Sequence, residues 1–496
     1  LSTTFALQRL WQNLPLPKGH FFRDHLVRKD VPSVNAQSGE QLIVVGRMLT
    51  RFSQIKESLN PEKLKIISNT GWLFASRIFR IFISLLVSTL ITRYLGPDRF
   101  GVLQYALAFS SFFLPLSTIQ IAPVVTRDLV RHPEHNNVIL GTAFALQIVG
   151  GVLAAVASII MVLVFAPKEP LIALLVSIAA LKFIFNSLQP IENWFEARVE
   201  SKFKVLAENF AFIFIVALKL YLIFSKASVV EFAIVIVLET FLYSCGLIFY
   251  YQKDHQNILN WRTNLKTIGY FIRESLPLVF SSTAVLLYIN IDKVMLGNMV
   301  GKEEVGIYSS ATLLSESWSF LPVIVCSSLY PMIIQSKNLG KKIYNQRLQK
   351  FYDLVSLLAY ALILIMVPCA GFLIMGLYGK DYQEAIPILM LHIWSALFTF
   401  LGDAQSKWIV NEGLQKLNFF SRLAGLVSNI LLNLLLIPFY HGMGAAIATV
   451  ISYAIGGYLF FLLIPATQDN AIRMTKALCV PFRLPTVIKE FMPGSR

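Results

Sequence analysis

From residue 66 onwards the chain is built of apolar runs of about twenty or more residues, separated by short polar breaks. At 1.5 Å per residue, a helix of about 20 residues crosses a hydrocarbon layer of about 30 Å. A barrel would instead show short alternating segments of about ten residues. The runs predict helical spans at 66–92, 100–125, 139–165, 170–190, 204–224, 229–251, 274–297, 304–333, 350–377, 384–411, 418–437 and 442–465. The expected fold is therefore all-α, a polytopic membrane protein of about twelve transmembrane helices. An even number of crossings puts both termini on one side.

The loops between spans are short, so no soluble catalytic domain is hidden among them. Composition agrees, with 56% of the 496 residues hydrophobic and 14% charged, against about 25% charge in soluble domains. The net charge of +15 could suggest nucleic acid, but the Lys and Arg residues gather in alternate loops. The loops 126–138, 191–204, 251–273, 334–350 and 411–417 carry 15 of them, and the intervening set carries six. This is the positive-inside pattern, which explains the charge by orientation and needs no nucleic-acid partner. The richer loops and both termini belong in the cytoplasm, and the expected location is the cytoplasmic (inner) membrane.

Residues 1–65 are polar and basic without a long apolar core, so they do not read as a secretory signal. The chain begins at Leu1, and Met48 is a candidate native start. The expected organisation is this N-terminal segment, an N-lobe of helices 1–6 at 66–251, a linker at 252–273, a C-lobe of helices 7–12 at 274–465, and a basic tail at 466–496. Cys245, Cys326, Cys369 and Cys479 are scattered without a CxxC pair, so neither a metal site nor a disulfide framework is expected. No cofactor is expected either.

The lobes rest on an internal repeat. LGPDRFGVLQYA at 95–106, between spans one and two, matches VGKEEVGIYSSA at 300–311, between spans seven and eight. Gly96 and Gly101 pair with Gly301 and Gly306, and FLPL at 113–116 pairs with FLPV at 320–323. Six helices thus repeat as six helices of the same orientation. Parallel repeats are related by a pseudo-two-fold axis along the membrane normal, and a transport pathway would lie between them. The GxxxxG spacing lacks the Lys-Ser/Thr of a phosphate-binding loop and follows no strand, so both copies read as tight turns.

Ionisable residues at membrane depth are costly unless they face a cavity or a partner. In span one, Arg77, Arg80, Ser84 and Ser88 share a helical face, as do Lys182, Asn186, Gln189 and Asn193 in span four. The C-lobe carries Ser281, Tyr288 and Asp292 with neighbouring Lys293 in span seven. It also carries Tyr308, Thr312, Ser315 and Ser319 with Glu316 at the margin in span eight, and His392, Ser395, Thr399, Asp403 and Ser406 with nearby Lys407 in span ten. Arg77, Arg80 and Lys182 lie too deep to snorkel and are the candidates for an anionic head group, whereas Lys219 and Lys293 lie near span ends. Asp292, Lys293, Glu316, Asp403 and Lys407 are candidates for the cavity wall or for ion coupling. Ion pairing of Asp292 with Lys293, and of Asp403 with Lys407, is the structural alternative, as is pairing of the N-lobe cations with Glu208 or Glu239. Arg offers bidentate donors to phosphate oxygens, so the expected substrate is anionic.

RYLGPDRFGVLQYALAF (93–109), INIDKVMLGNMVGKEEVGIYSSATLLSE (289–316), LYGKDYQEAIPILML (377–391) and NLLLIPFYHGMGAAIATVISY (433–453) resemble the polysaccharide transporter family, which includes the Wzx O-antigen flippases. That family sits in the multidrug, oligosaccharidyl-lipid and polysaccharide exporter superfamily, and the resemblance spans roughly residues 66–465. It implies two six-helix lobes that open alternately to each side around a cationic cavity. It also implies a polyprenyl-diphosphate-linked oligosaccharide as substrate, flipped from the inner to the outer leaflet for surface polysaccharide such as the O-antigen of lipopolysaccharide. The cavity Arg of such flippases matches Arg77 or Arg80, and Asp292 with Lys293 matches the family's span-seven Asp-Lys. The expected partners are that lipid-linked sugar, membrane lipids and, as a candidate, polysaccharide polymerase machinery. Peptidoglycan-precursor flippases usually add two C-terminal helices, where this chain is expected to have a tail with Pro481 and Pro485. Bends near Pro277 and Pro322 would help the lobes rock. The alternatives are a multidrug antiporter of the same superfamily, whose cationic substrates deep Arg and Lys would repel, and a membrane polymerase or glycosyltransferase, which would need a large catalytic loop.

Overall fold

The computed structural model describes residues 61–254 and 256–491; residues 1–60, with the candidate start at Met48, lie outside the described residues. Residues from Ala75 onward form one compact unit. Among the described residues all regular structure is helical, as a chain must be where no water is available to its backbone groups.

Among the described residues, ten helices are long and apolar enough to cross a membrane. Two of them are each divided in two by a single non-helical residue, Gly96 with φ 71° and His441 with φ 51°. The spans among the described residues therefore number twelve, in two lobes of six. They are α1 (61–95), α2 (97–131), α3 (Pro133–Phe165), α4 (Pro170–Ala197), α5 (Lys202–Phe224), α6 (Val229–Lys253), α7 (Leu265–Met299), α8 (Lys302–Leu339), α9 (Lys341–Leu377), α10 (Ala385–Asn411), α11 (415–440) and α12 (442–462). Apolar side chains such as Phe82, Val156, Ile160, Leu364, Phe372 and Leu435 face outward. Such a surface would drive association in water and is solvated by lipid in a membrane.

The repeat is visible as geometry. Gly96 and Gly301 both have positive φ, at 71° and 146°, where a Cβ would be strained. The second glycines of the two copies meet. A Cβ on Gly101 would overlap the Lys302 carbonyl oxygen, and one on Gly306 would overlap the Pro97 carbonyl oxygen. Each turn thus packs on the other in the reciprocal manner of a two-fold axis. The lobes also share their helix breaks. α2 is interrupted at Phe112–Phe113 and α8 at Ser317–Ser319, while α4 breaks near Leu181 and α10 at Ile393–Trp394. The α8 break falls immediately before Pro322; at Pro277, by contrast, α7 remains one helix.

Two buried cores hold most of the apolar interior, the first of them reaching through the C-lobe as far as Leu348, Trp408 and Met474. It runs across both lobes near the glycine turns and contains Leu95, Phe100, Tyr105, Ile172, Leu296 and Val305. The other, around Val125, Leu140, Trp194, Phe195 and Tyr251, belongs to the N-lobe and takes in Phe271 from α7. The α6–α7 linker is docked there, with the Arg262 amide donating to the Asn137 carbonyl at 3.0 Å and the Asn264 amide donating to Thr142 Oγ1 at 3.2 Å.

The segment after α12 forms α13 (Pro465–Leu478) and α14 (Val480–Phe491). α13 buries Thr467, Asn470, Ala471, Met474 and Ala477. Asn470 donates to the Tyr352 hydroxyl on α9 at 2.6 Å and also to Gln405 on α10. What the sequence offered as a basic tail is, over these residues, a helix packed onto the C-lobe.

Candidate functional site

In the N-lobe the charges are arranged on α1, α4, α5 and α6. Arg80 lies between two acids from different helices, forming an ion pair with Glu208 on α5 and a second, at 3.9 Å, with Glu239 on α6. Its guanidinium carbon also lies 5.1 Å from the Phe212 ring centre. Glu239 is shared with Lys219, at 3.4 Å. Arg80 and Lys219 are thus brought together in one network that ties α1, α5 and α6. Arg77, one turn earlier, is exposed and forms no ion pair with another described residue. Lys182 is half-buried on α4, its ammonium 5.6 Å from the Phe183 ring centre. A separate cavity of about 260 Å³ opens where α2 and α4 break, with Thr118, Gln120, Asn186, Gln189, Glu192 and Tyr243 in its wall. Ile119 and Gln120 there have positive φ. The side chain of Gln147 compensates, donating to the Thr118 carbonyl at 3.0 Å and to Gln189 Oε1 at 2.9 Å.

The C-lobe treats its charges differently. Asp292 on α7 is buried, 4% exposed, and is satisfied by hydroxyls: Tyr308 on α8 donates to Oδ2, with Thr449 on α12 at 3.5 Å. Its Oδ1 accepts the Lys293 amide at 2.8 Å. The Lys293 ammonium turns instead to Asn290 Oδ1, at 3.3 Å. Glu316 and Asp403 are brought to one pocket of about 280 Å³ inside the C-lobe, together with Arg422. Lys407 is exposed and forms no ion pair with Asp403 among the described residues. His392 is fully buried, with Nδ1 2.8 Å from Ser315 Oγ.

Arg422 was absent from the sequence candidates. It sits two turns into α11, because that helix begins at Gln415, whereas the hydropathy reading began the span at 418 and left Arg422 at the edge. Its depth was the available signal.

At the glycine turns the two lobes are sealed against each other by polar contacts as well as by the shared core. Tyr105 donates to Asn298 Oδ1 at 2.8 Å, Lys302 pairs with Glu169 at 3.2 Å, and Tyr382 donates to the Thr92 carbonyl at 2.8 Å. The Lys302 ammonium also sits 3.9 Å from the Tyr105 ring centre. At the other, basic end, Arg127 of α2 meets Tyr270 and pairs with Glu274 on α7 at 3.3 Å.

Twelve spans in two repeated lobes, with broken helices lining intramembrane cavities, define a two-lobed multi-pass membrane protein of the kind in which a pathway runs between the repeats. The fold matches the lipid II flippase MurJ in an inward closed conformation with a TM-score of 0.62, at 16% identity, covering 85% of this chain and 92% of that one. It matches an inward-facing multidrug resistance MATE family transporter equally, with a TM-score of 0.62 at 12% identity, over 80% of this chain and 96% of that one. The family is decided by sequence: residues 66–337 match the model of the polysaccharide biosynthesis proteins, and the chain belongs to that family. It is 24% identical to the capsular polysaccharide biosynthesis protein CapF of Staphylococcus aureus over 403 residues, covering 80% of this chain and 99% of CapF.

Proposed function

We propose that this protein is a flippase that carries a polyprenyl-diphosphate-linked oligosaccharide from the inner to the outer leaflet of the cytoplasmic membrane, for surface polysaccharide assembly. The observation that carries this reading is membership of the polysaccharide biosynthesis family, joined to a fold like that of a lipid II flippase. Fold alone would not separate it from a multidrug transporter, since both give a TM-score of 0.62.

Both termini lie in the cytoplasm in this reading, because the Lys- and Arg-rich loops do. The glycine-turn end is then the outer end, and its seal closes the path between the lobes on the outer side. In keeping with that, the likeness to an inward-facing MATE exceeds the 0.52 found for an outward-facing one. Arg77, not Arg80, is the better diphosphate ligand, because Arg80 is already matched by Glu208 and Glu239. Lys182 adds a second positive charge from α4. The sugar chain crosses between the lobes while the lipid tail stays in the bilayer, and rupture of the glycine-turn seal releases the head group outward.

The test is reconstitution of the full chain into vesicles with a polyprenyl-diphosphate oligosaccharide bearing a fluorophore on its sugar. Label initially in the inner leaflet should become open to an impermeant quencher, with no new glycosidic bond. Exchange no faster than in empty vesicles would overturn the proposal, and lengthening of the sugar would show a polymerase.

A further inference from the structure

We propose that the C-lobe pocket is the site that reads the sugar, and that it accepts a neutral or amino-bearing glycosyl unit while rejecting anionic ones. The proposal rests on the flippase reading and adds to it a division of labour, with phosphate held by the N-lobe and sugar by the C-lobe.

The pocket, about 280 Å³, is walled by α7, α8, α10, α11 and α12. Two carboxylates, Glu316 and Asp403, face it against a single guanidinium, Arg422. None of the three side chains forms a hydrogen bond or ion pair with another described residue. Three charged groups around one cavity at membrane depth, none within ion-pair distance of another, are arranged for a polar ligand. Tyr288 adds a polar group to the wall: it is 7% exposed, lines the pocket, and its hydroxyl, with no partner at close hydrogen-bond distance, lies near Ser452 and Arg422. Asn418, Ser395 and Thr399 add neutral donors and acceptors, and the Tyr453 and Phe398 rings add apolar faces. Carboxylate, amide and hydroxyl groups beside aromatic rings suit a pyranose, which offers hydroxyls at its edge and C–H groups on its faces.

The wall itself is built to leave room. α12 passes through a π-helical turn at Ile455–Leu459, a distortion frequent at functional sites. Its glycines Gly456 and Gly457 sit where a Cβ would press on the Ser421 and Phe398 carbonyl oxygens, at 3.0 Å and 2.7 Å. Lys293 and Lys407 lie near these acids but outside the lining, so among the groups a ligand would touch acid exceeds base, and that decides the ligand's charge. A diphosphate or uronate would meet two carboxylates and one guanidinium, whereas an ammonium or hydroxyl can donate to both acids.

The test uses a Ser319→Cys variant of the full chain in which the four native cysteines are replaced, alkylated by a maleimide in the presence of soluble probes. Glucosamine at about four times its Kd should slow alkylation about fivefold, following the 1 + [L]/Kd factor for one site. Glucose should protect less, and glucuronate and inorganic pyrophosphate should not protect. The Glu316→Gln and Asp403→Asn exchanges should each erase the preference for glucosamine over glucuronate, in protein that remains monodisperse with an unchanged melting temperature. Variants that fail this check are replaced by Thr399→Val, which should weaken protection by glucose and glucosamine alike. Equal protection by glucuronate, protection by pyrophosphate, or protection by sodium ions with none by sugars would overturn the proposal.

The vesicle assay separates the remaining outcomes. Flipping that persists while no sugar protects removes this inference alone, whereas sugar protection without flipping removes the flippase reading. Protection by free sugar with flipping unchanged in Glu316→Gln and Asp403→Asn would show a site for soluble sugar, not for the lipid-linked one, and would also overturn the proposal.

Discussion

The two lobes share one ancestral plan of six helices and solve the problem of intramembrane charge in opposite ways. In the N-lobe, Arg80 and Lys219 are neutralised by Glu208 and Glu239 across three helices. This uses charge as a tie between elements and leaves Arg77 and Lys182 as the cations outside the network. In the C-lobe, Asp292 is satisfied by the hydroxyls of Tyr308 and Thr449, and Glu316 and Asp403 are left facing a pocket. The difference teaches that a repeat conserves architecture more readily than chemistry. The N-lobe thus keeps cations outside its ion-pair network, whereas the C-lobe pocket is lined by two acids and one base, a contrast that suits the proposed substrate with a diphosphate at one end and a neutral or amino sugar at the other.

The comparison breaks most severely where the lobes touch. Gly101→Ala places a Cβ on the Lys302 carbonyl oxygen, a backbone atom that no rotamer change can move aside. We expect several kcal/mol against the sealed state, at or beyond the upper end of the ~1–3 kcal/mol typical of overpacking. The result should be near-complete loss of transport and rapid labelling of a cysteine placed at Tyr105. Gly371→Ala, where the added atom meets open space, should leave both readouts at the parental level. Normal transport in Gly101→Ala would mean that the glycine contact is not part of the working cycle.

A smaller effect sharpens the contrast between paired and unpaired cations. Arg77→Ala should keep its folded level and lose about a hundredfold in transport, as expected for a charge-assisted contact of a few kcal/mol. Arg80→Ala should instead lose about 1–3 kcal/mol of stability, because Glu208 is left without its partner. Melting temperature and transport, measured side by side, separate the two. Glu208→Gln added to Arg80→Ala should restore part of the stability, a coupling that a double-mutant cycle reads directly. The opposite pattern, with Arg80→Ala stable but inactive, would move the phosphate site one turn along α1.

The smallest effect belongs to Lys219. Removing it leaves Glu239 with Arg80 as a neighbour at 3.9 Å, so Lys219→Met should change stability by less than about 1 kcal/mol and leave transport near its parental rate. A loss as large as that from Arg77→Ala would place Lys219 in the transport path.

Hydropathy period and length alone determined twelve spans, because a helix that crosses lipid must be apolar for about 20 residues whatever its neighbours are. The glycine repeat likewise declared two equivalent lobes, since only a shared backbone need keeps Gly96, Gly101, Gly301 and Gly306 at matching places. Residue depth alone marked Arg77, Arg80, Lys182, Asp292, Glu316 and Asp403 as costly and therefore purposeful. What sequence could not decide was which charge meets which. Helical spacing shows that two residues share a face, but not what faces them, and neighbouring positions such as Asp292 and Lys293 point away from each other on a helix. Thus Asp292 found Tyr308, 16 residues on, and Thr449, 157 residues on, and Arg80 was claimed by two acids from α5 and α6. Arg422 joined Glu316 and Asp403 because α8, α10, α11 and α12 wall one pocket. Such partnerships depend on the rotation of each helix about its own axis, which is set by packing across the bundle and not by any local pattern along the chain.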